Sequence, residues 1–286
     1  MSKAAFANIL NAINKMSETG FTREDDNFWK AETDKAGNGF AVIRFLPGKT
    51  DEEVPFVKMY DHGFQGPAGK WFIEKCPTTI GHECPVCQAN GPLWNSGRES
   101  DKEIVRKRKR RVSYIANVLV VSDPKNPDNE GKVFLFKFGK KIFDKIKDAI
   151  SPPPEFPDEQ PMNPFDAAEG SNFKLKIRKV EGYANFDKSE FEKPSEVENL
   201  ETVLTQLNDL QKFIDPKSYK SFDELQSKFK QVVGAAPAAK APKADPVEEE
   251  DYDVTNDIPQ TSKKASPPPS GDEDDSLDYF RKLAED

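Results

Sequence analysis

Histidine occurs twice in these 286 residues and cysteine three times. Two imidazoles leave little general-base equipment, and an odd number of thiols outside a secretory context argues against a disulfide framework. Hydrophobic residues are also scarce, 36% against 32% charged, so part of the chain is expected to stay unfolded. No stretch approaches the 18 apolar residues of a membrane span, and Met1–Met16 lacks the charged start, apolar middle and small-residue cleavage site of a secretory signal. A soluble protein that stays where it is made, with no membrane partner, is the expectation. No Gly-x-Ser-x-Gly elbow and no His-Glu-x-x-His are present. Gly48-Lys49-Thr50 resembles the tail of a P-loop, but Ile43 stands where the earlier glycine is required. The chain is therefore not expected to be an enzyme.

The charge of −8 conceals an asymmetry. Residues 245–286 hold 14 acids and four bases, a net of −10, which leaves +2 for residues 1–244. Within that part, Lys102 to Asp148 carries 14 bases and six acids. A basic patch is thus tethered to an acidic tail.

The grammar of the chain changes along its length. Ala4–Met16 places Phe6, Ile9, Leu10 and Ile13 at helical spacing and predicts a short amphipathic helix. Phe40–Leu46, Val54–Tyr60, Trp71–Glu74, Val112–Val121, Lys132–Phe138 and Asn172–Val180 are aromatic and β-branched runs between Pro, Gly and Asp clusters, and predict strands. In the fifth of these, a period of two puts Phe134, Phe136 and Phe138 on one face; in the last it puts Lys174, Lys176 and Arg178 opposite Leu175 and Ile177. Ile142–Ile150 predicts a short helix, and Ser195–Ile214 and Ser221–Val233 each open with a Ser-x-x-Glu capping box. The fold class predicted is α+β, mainly β, with helices at the end of the core. Residues 235–275 carry too little apolar area to offset the entropy of ordering them. Leu277, Tyr279 and Phe280 near the end are expected to form a docking peptide for partners.

His62, Cys76, Cys84 and Cys87 have the spacing His-x13-Cys-x7-Cys-x2-Cys. The Cys-x-x-Cys knuckle brings two thiolates to one ion, and a third sulfur and one imidazole complete a tetrahedral set suited to zinc. A thioredoxin-like redox pair is disfavoured by the third cysteine and by the lack of a βαβ pattern. His82 is a rival fourth ligand, but its His-x-Cys spacing would crowd the ion, so His62 is favoured. Zinc deaminases need His-x-Glu followed by Pro-Cys-x-x-Cys, which is not found. Four protein ligands make one structural zinc ion, clipping together the loops of residues 62–87.

Arg106, Lys107, Arg108, Lys109, Arg110 and Arg111 are six consecutive bases, read as lying in strand-and-loop context, and aromatics are interleaved with bases around them. Trp94, Tyr114, Phe136, Phe138 and Phe143 accompany Lys132, Lys137, Lys140, Lys141 and Lys145, and Tyr183 and Phe186 follow the basic strand. Cations for phosphates and flat rings for unpaired bases are the two parts of a groove for single-stranded nucleic acid. A duplex reader would need a helix presenting base-reading side chains. About half of the Phe residues are expected in the core instead.

Gly37-Asn38-Gly39-Phe40-Ala41-Val42-Ile43-Arg44-Phe45-Leu46-Pro47, His62-Gly63-Phe64, Cys84-Pro85-Val86-Cys87-Gln88, Asn129-Glu130-Gly131-Lys132-Val133-Phe134 and Phe138-Gly139-Lys140-Lys141-Ile142-Phe143-Asp144-Lys145-Ile146 together resemble the single-stranded DNA-binding, or helix-destabilising, proteins of T-even-type bacteriophages. The resemblance runs over roughly 20–233. It implies an OB-fold core with a zinc-binding subdomain, zinc on His62, Cys76, Cys84 and Cys87, DNA contacts at Trp94, Tyr114, Phe136, Tyr183 and Phe186, and basic contacts at Lys109 and Arg110. It divides the chain into an N-terminal self-association arm (1–20), a core (21–234) and a flexible acidic partner-binding tail (235–286). Within the core it places a zinc subdomain near 60–110, barrel strands near 40–60 and 112–190, and helices at 195–233. Two departures stand out. The family's arm is basic, whereas Met1–Lys15 has only Lys3 and Lys15, and an aromatic that the family has just before its knuckle is missing.

The expected function is cooperative, sequence-independent binding and protection of single-stranded DNA in phage replication, recombination and repair, in the cytoplasm of the infected host. The expected partners are further copies of the chain and, through the tail, phage DNA polymerase, primase-helicase and recombination mediator. The rivals are a zinc-containing RNA-binding regulator and a zinc-dependent nuclease or deaminase, the latter opposed by the filled metal shell.

Overall fold

A computed structural model describes residues 27–49, 54–155 and 160–234. The predicted helix at Ala4–Met16, the arm 1–20 and the segment 235–286, with Leu277, Tyr279 and Phe280, lie outside the described residues. The six predicted runs form strands and three short ones join them, nine among the described residues: β1 (Phe28–Trp29), β2 (Gly39–Phe45), β3 (Phe56–Gln65), β4 (Trp71–Lys75), β5 (Arg111–Ser122), β6 (Val133–Phe138), β7 (Ser171–Val180), β8 (Tyr183–Asn185) and β9 (Glu190–Pro194). Between and after them lie α1 (Pro85–Asn95), α2 (Glu99–Arg108), α3 (Lys140–Ile150), α4 (Leu200–Thr205) and α5 (Phe222–Val233). The architecture is mostly β with helices, as the composition of the runs predicts.

The sheet path is β1-β6-β5-β2-β7-β8, with β3 on β5, β4 on β3 and β9 on β7. The twelve-residue β5 organises it. Along one edge its first half pairs with β3 (Phe56↔Ala116 to Asp61↔Arg111) and its second half with β2; the other edge pairs with β6. β5 and β6 pair as an antiparallel hairpin.

Alternation sorts the side chains. Phe136 and Phe138 turn inward with Tyr114, Phe45, Phe173, Leu175 and Ile177 to make the main core, with Phe134 packed against it. Phe45 sits centrally, meeting the rings of Phe136, Phe138, Phe165, Phe173 and Phe191. On the opposite face Val57, Met59, Ile115 and Leu135 are covered by Leu210 and Phe213. A second, separate cluster gathers Phe64, Phe72, Cys76, Cys84 and Val86 under Leu225, Phe229 and Val232 of α5. Phe64 and Phe72 stack at 5.1 Å and Phe229 meets both edge-on. Gly66 admits the end of α5, since a Cβ there would stand 2.0 Å from the Val232 carbonyl oxygen.

Two expectations need correction. The helix predicted over Ser195–Ile214 is only Leu200–Thr205 plus a short 3-10 turn at Gln211–Phe213. Ser195 caps nothing, because its N–H bonds the Gly170 carbonyl and that of Val197 bonds Ala167, spending the donors on the neighbouring segment. Downstream, Asn117 holds the backbone of Asn208 through paired bonds of 2.9 and 3.0 Å, which keeps the chain flat against the sheet. By contrast, the Ser221/Glu224 capping box forms in full at the start of α5. The second correction concerns residues 62–87, expected as loops: they hold the end of β3, all of β4 and the start of α1, and α2 follows where no element was predicted.

Candidate metal centre and nucleic-acid interface

The four predicted ligands come from four places. His62 lies in β3, Cys76 directly after β4, and Cys84 at the N-cap of α1 with Cys87 in its first turn. Pro85 at the first helical position presets the backbone there. The turn of helix then carries both knuckle sulfurs to one side. All four ligand atoms lie within 4.8 Å of one another. Cys76 Sγ is 3.7 Å from Cys87 Sγ, and His62 Nε2 is 3.4 Å from Cys84 Sγ and 3.5 Å from Cys87 Sγ. A tetrahedral ion with bonds of about 2.3 Å to sulfur and about 2.0 Å to nitrogen has edges of about 3.8 and 3.5 Å. The donor set therefore fits one tetrahedral metal ion. His82 is exposed and stands outside the cluster.

Electrostatics point the same way. Burial pulls the His62 imidazole down, but hydrogen bonds that the ring donates to Cys76 and Cys84, and their charge, lift it to about 10. Hydrogen bonds from Cys84 and Cys87 hold the Cys76 thiol far below its ordinary value, and Cys76 and Cys84 push Cys87 up. A divalent cation among these groups would take the place of their protons, stabilising the thiolates and leaving His62 neutral as a ligand. His62 Nδ1 donates to the Arg108 carbonyl at 2.9 Å, which fixes the tautomer and leaves Nε2 to face the sulfurs.

That bond also ties the centre to the basic run. The run is not one patch. Arg106, Lys107 and Arg108 form the last turn of α2, contrary to the strand-and-loop expectation; Lys109 and Arg110 link it to β5, which Arg111 opens. Arg106 pairs with Glu99 at 2.5 Å. The Arg108 guanidinium lies 5.7 Å over Phe229, and burial pulls its pKa down. Arg110 turns to one face of the sheet, 4.1 Å over the Tyr60 ring, and donates to Thr78 Oγ1 at 2.9 Å. Arg111 turns to the other, where Nε and Nη2 both reach Asp61 Oδ1, with Lys137 on Oδ2. Gly63 makes room there, since a Cβ would stand 2.3 Å from Arg111 Nη2.

The predicted rings divide sharply. Tyr114, Phe136, Phe138 and Phe186 are buried in the main core; Phe138 is 1% exposed. A sealed ring offers no stacking face, so as open platforms these four are corrected: Phe136 and Phe138 face Phe45, and Tyr114 and Phe186 pack into the same core. Tyr114 is stacked on Phe143 at 3.9 Å with an interplanar angle of 2°. Tyr183 is 62% exposed. Trp94 is half-buried on α1 with Lys102 5.8 Å over its ring. Lys140 opens α3 and pairs with Asp144 at 3.5 Å. The basic face predicted for β7 is neutralised: Lys174 pairs with Glu192, Lys176 with Glu190 and Arg178 with Asp187. The sequence reading passed over Lys58 and Tyr60. Both lie inside the predicted strand Val54–Tyr60, where the period of two already places Phe56, Lys58 and Tyr60 on one face.

Comparison with known proteins bears on the whole of this region. The family model described as gp32 DNA binding protein like matches residues 37–233. The single-stranded DNA-binding proteins of Enterobacteria phages T2 and T4 are each 43% identical over 252 residues, covering 83% of this chain and 81% of theirs. That of Enterobacteria phage RB70 is 46% identical over 99 residues, 33% of this chain and 80% of its own. The matched span takes in the His62–Cys87 cluster, the helices bearing Trp94 and Arg108 and all of β5 to β9. By this match over most of its length, the chain belongs to the gp32 DNA binding protein like family.

Proposed function

We propose that this protein binds single-stranded DNA without sequence preference and coats it in multiple copies during phage replication, recombination and repair. What carries the reading is the similarity to the T2 and T4 single-stranded DNA-binding proteins along four-fifths of both lengths. The structure supplies a chemistry for it. The basic run is tied to the metal-type centre through the Arg108 carbonyl and the Arg110 side chain, and exposed or half-exposed rings stand at Tyr183 and Trp94. Phosphates are taken by Arg106, Lys107, Lys109 and Lys140, bases by Trp94 and Tyr183, and Arg110 contacts the strand beside them. Arg108 and Arg111, committed to Phe229 and Asp61, support the surface. Binding single strands lowers the free energy of melted duplex, so helix destabilisation needs no catalytic group.

The ion is zinc in this reading, held by His62, Cys76, Cys84 and Cys87, and its part is to stabilise the lobe. The organisation into arm (1–20), core (21–234) and acidic tail (235–286) belongs to the same reading. So do an OB-type barrel, supported by a long β5 shared among β2, β3 and β6, and the cytoplasm of the infected host as the place of action. Among the described residues no helix is long and apolar enough to cross a membrane. The tail, through Leu277, Tyr279 and Phe280, is the proposed dock for polymerase, primase-helicase and recombination mediator.

Titration of intrinsic tryptophan fluorescence with poly-dT, matched RNA and duplex DNA tests the function. Tight binding to poly-dT with weak binding to duplex is expected; equal affinity for duplex, or preference for folded RNA, overturns the proposal.

A further inference from the structure

We infer that Lys58 and Tyr60 of β3, together with Arg110, form a further single-strand contact. It rests on the function proposed above and adds a strand that the basic run and the predicted aromatics do not include. Three observations carry it. First, the register sets Lys58 opposite Tyr114 and Tyr60 opposite Val112, and Arg110 precedes Val112 by two positions. Lys58, Tyr60 and Arg110 therefore share one face of the sheet, next to the Tyr114–Phe143 stack. Second, the three are in contact: Lys58 Nζ lies 5.0 Å and Arg110 Cζ 4.1 Å from the Tyr60 ring centroid. Lys58 is exposed, while Tyr60 and Arg110 are half-buried.

Third, the cluster is fixed from beneath. Tyr60 packs against the second core. Its N–H donates to Thr79 Oγ1 at 2.9 Å and its carbonyl accepts from the Cys76 N–H at 2.8 Å. Arg110 is held by Thr78 Oγ1, itself 3.1 Å from Cys76 Sγ. A ring and a guanidinium plane, pre-stacked and anchored on the turn that follows a ligand cysteine, lose little entropy when a base is added to them. Both surfaces stack on any base. Lys58, on a flexible stem at the rim, is placed for the adjoining phosphate. Asp61, the acid next in sequence, faces the other way and is engaged by Arg111 and Lys137, so it does not repel the strand here.

The test is poly-dT titration across a salt series with Tyr60→Leu, Tyr60→Phe and Lys58→Gln in the full chain, alongside bound zinc and thermal midpoint for each. Tyr60→Leu should bind about tenfold more weakly, and Tyr60→Phe, which keeps the ring, should bind nearly as the parent does. Lys58→Gln should lower the salt slope by about 0.7, one phosphate's worth. Photocrosslinking to 5-iodouracil oligonucleotide should label the peptide carrying Tyr60. Parent-like binding by Tyr60→Leu, with no crosslink at β3, overturns the inference. A parent that binds no single strand overturns the proposed function instead. Should Tyr60→Leu lose its zinc, the crosslink and Lys58→Gln decide alone.

Discussion

At the residue scale, the rings of this protein fall into two populations that substitution separates. Phe138 is enclosed by Phe45, Tyr114 and Phe136, so Phe138→Ala should cost about 3–5 kcal/mol in urea unfolding. Tyr183 stands in solvent at the start of β8. Tyr183→Ala should leave the unfolding midpoint in place and weaken poly-dT binding by about tenfold; a loss of stability without a loss of affinity would place the ring in the core. Asp187 offers a pH observable. Its hydrogen bond and charge contact with Arg178 hold its carboxyl down to about 2, against an ordinary value of 3.8. A depressed folded-state value stabilises above the ordinary one, and that contribution is lost as pH falls from about 4 through 2. Carbon-13 titration of the Asp187 carboxyl should show a midpoint near 2, moving up in Arg178→Gln.

Among elements, α5 and the metal lobe stand or fall together. Glu74 of β4 receives Lys220 and Lys228 at 2.5 Å each, and Phe229 closes over Phe64 and Phe72. Removing the ion with a chelator should therefore abolish amide-exchange protection in β4, α1 and α5 while β2, β5 and β7 keep theirs; uniform loss would show one cooperative unit. Ser221→Ala removes the formed cap and should cost about 1 kcal/mol. The strands were legible because period two and β-branched or aromatic composition agree, as in Val133–Phe138. The start of α5 was legible from its capping box. The identical signature at Ser195 failed because the Gly170 and Ala167 carbonyls compete for the same donors, a contact no local pattern reveals. α1 and α2 were missed since Pro85, Gly91 and Pro92 read as breakers and Glu99–Arg108 offers only Ile104 and Val105 as apolar residues.

For the whole molecule, charge placement decides behaviour. Binding should weaken steeply with salt, with a log–log slope near −0.7 for each phosphate neutralised. Deleting residues 245–286, which carry −10, should tighten binding to poly-dT by removing a competitor for the cations; unchanged affinity would mean that the segment does not compete. The metal set was legible because it uses every cysteine in the chain. The orientation of the basic run was not, since helix gives way to strand at Lys109 and the two periodicities send Arg110 and Arg111 to opposite sides. The lobe has one more consequence, in the order of synthesis. The thiols at 76, 84 and 87 leave the ribosome long before α5, which covers them. At roughly 5–20 residues per second the interval is about 7–30 s, so on every nascent chain the cysteines meet the surrounding metals and oxidants before their lid has been translated.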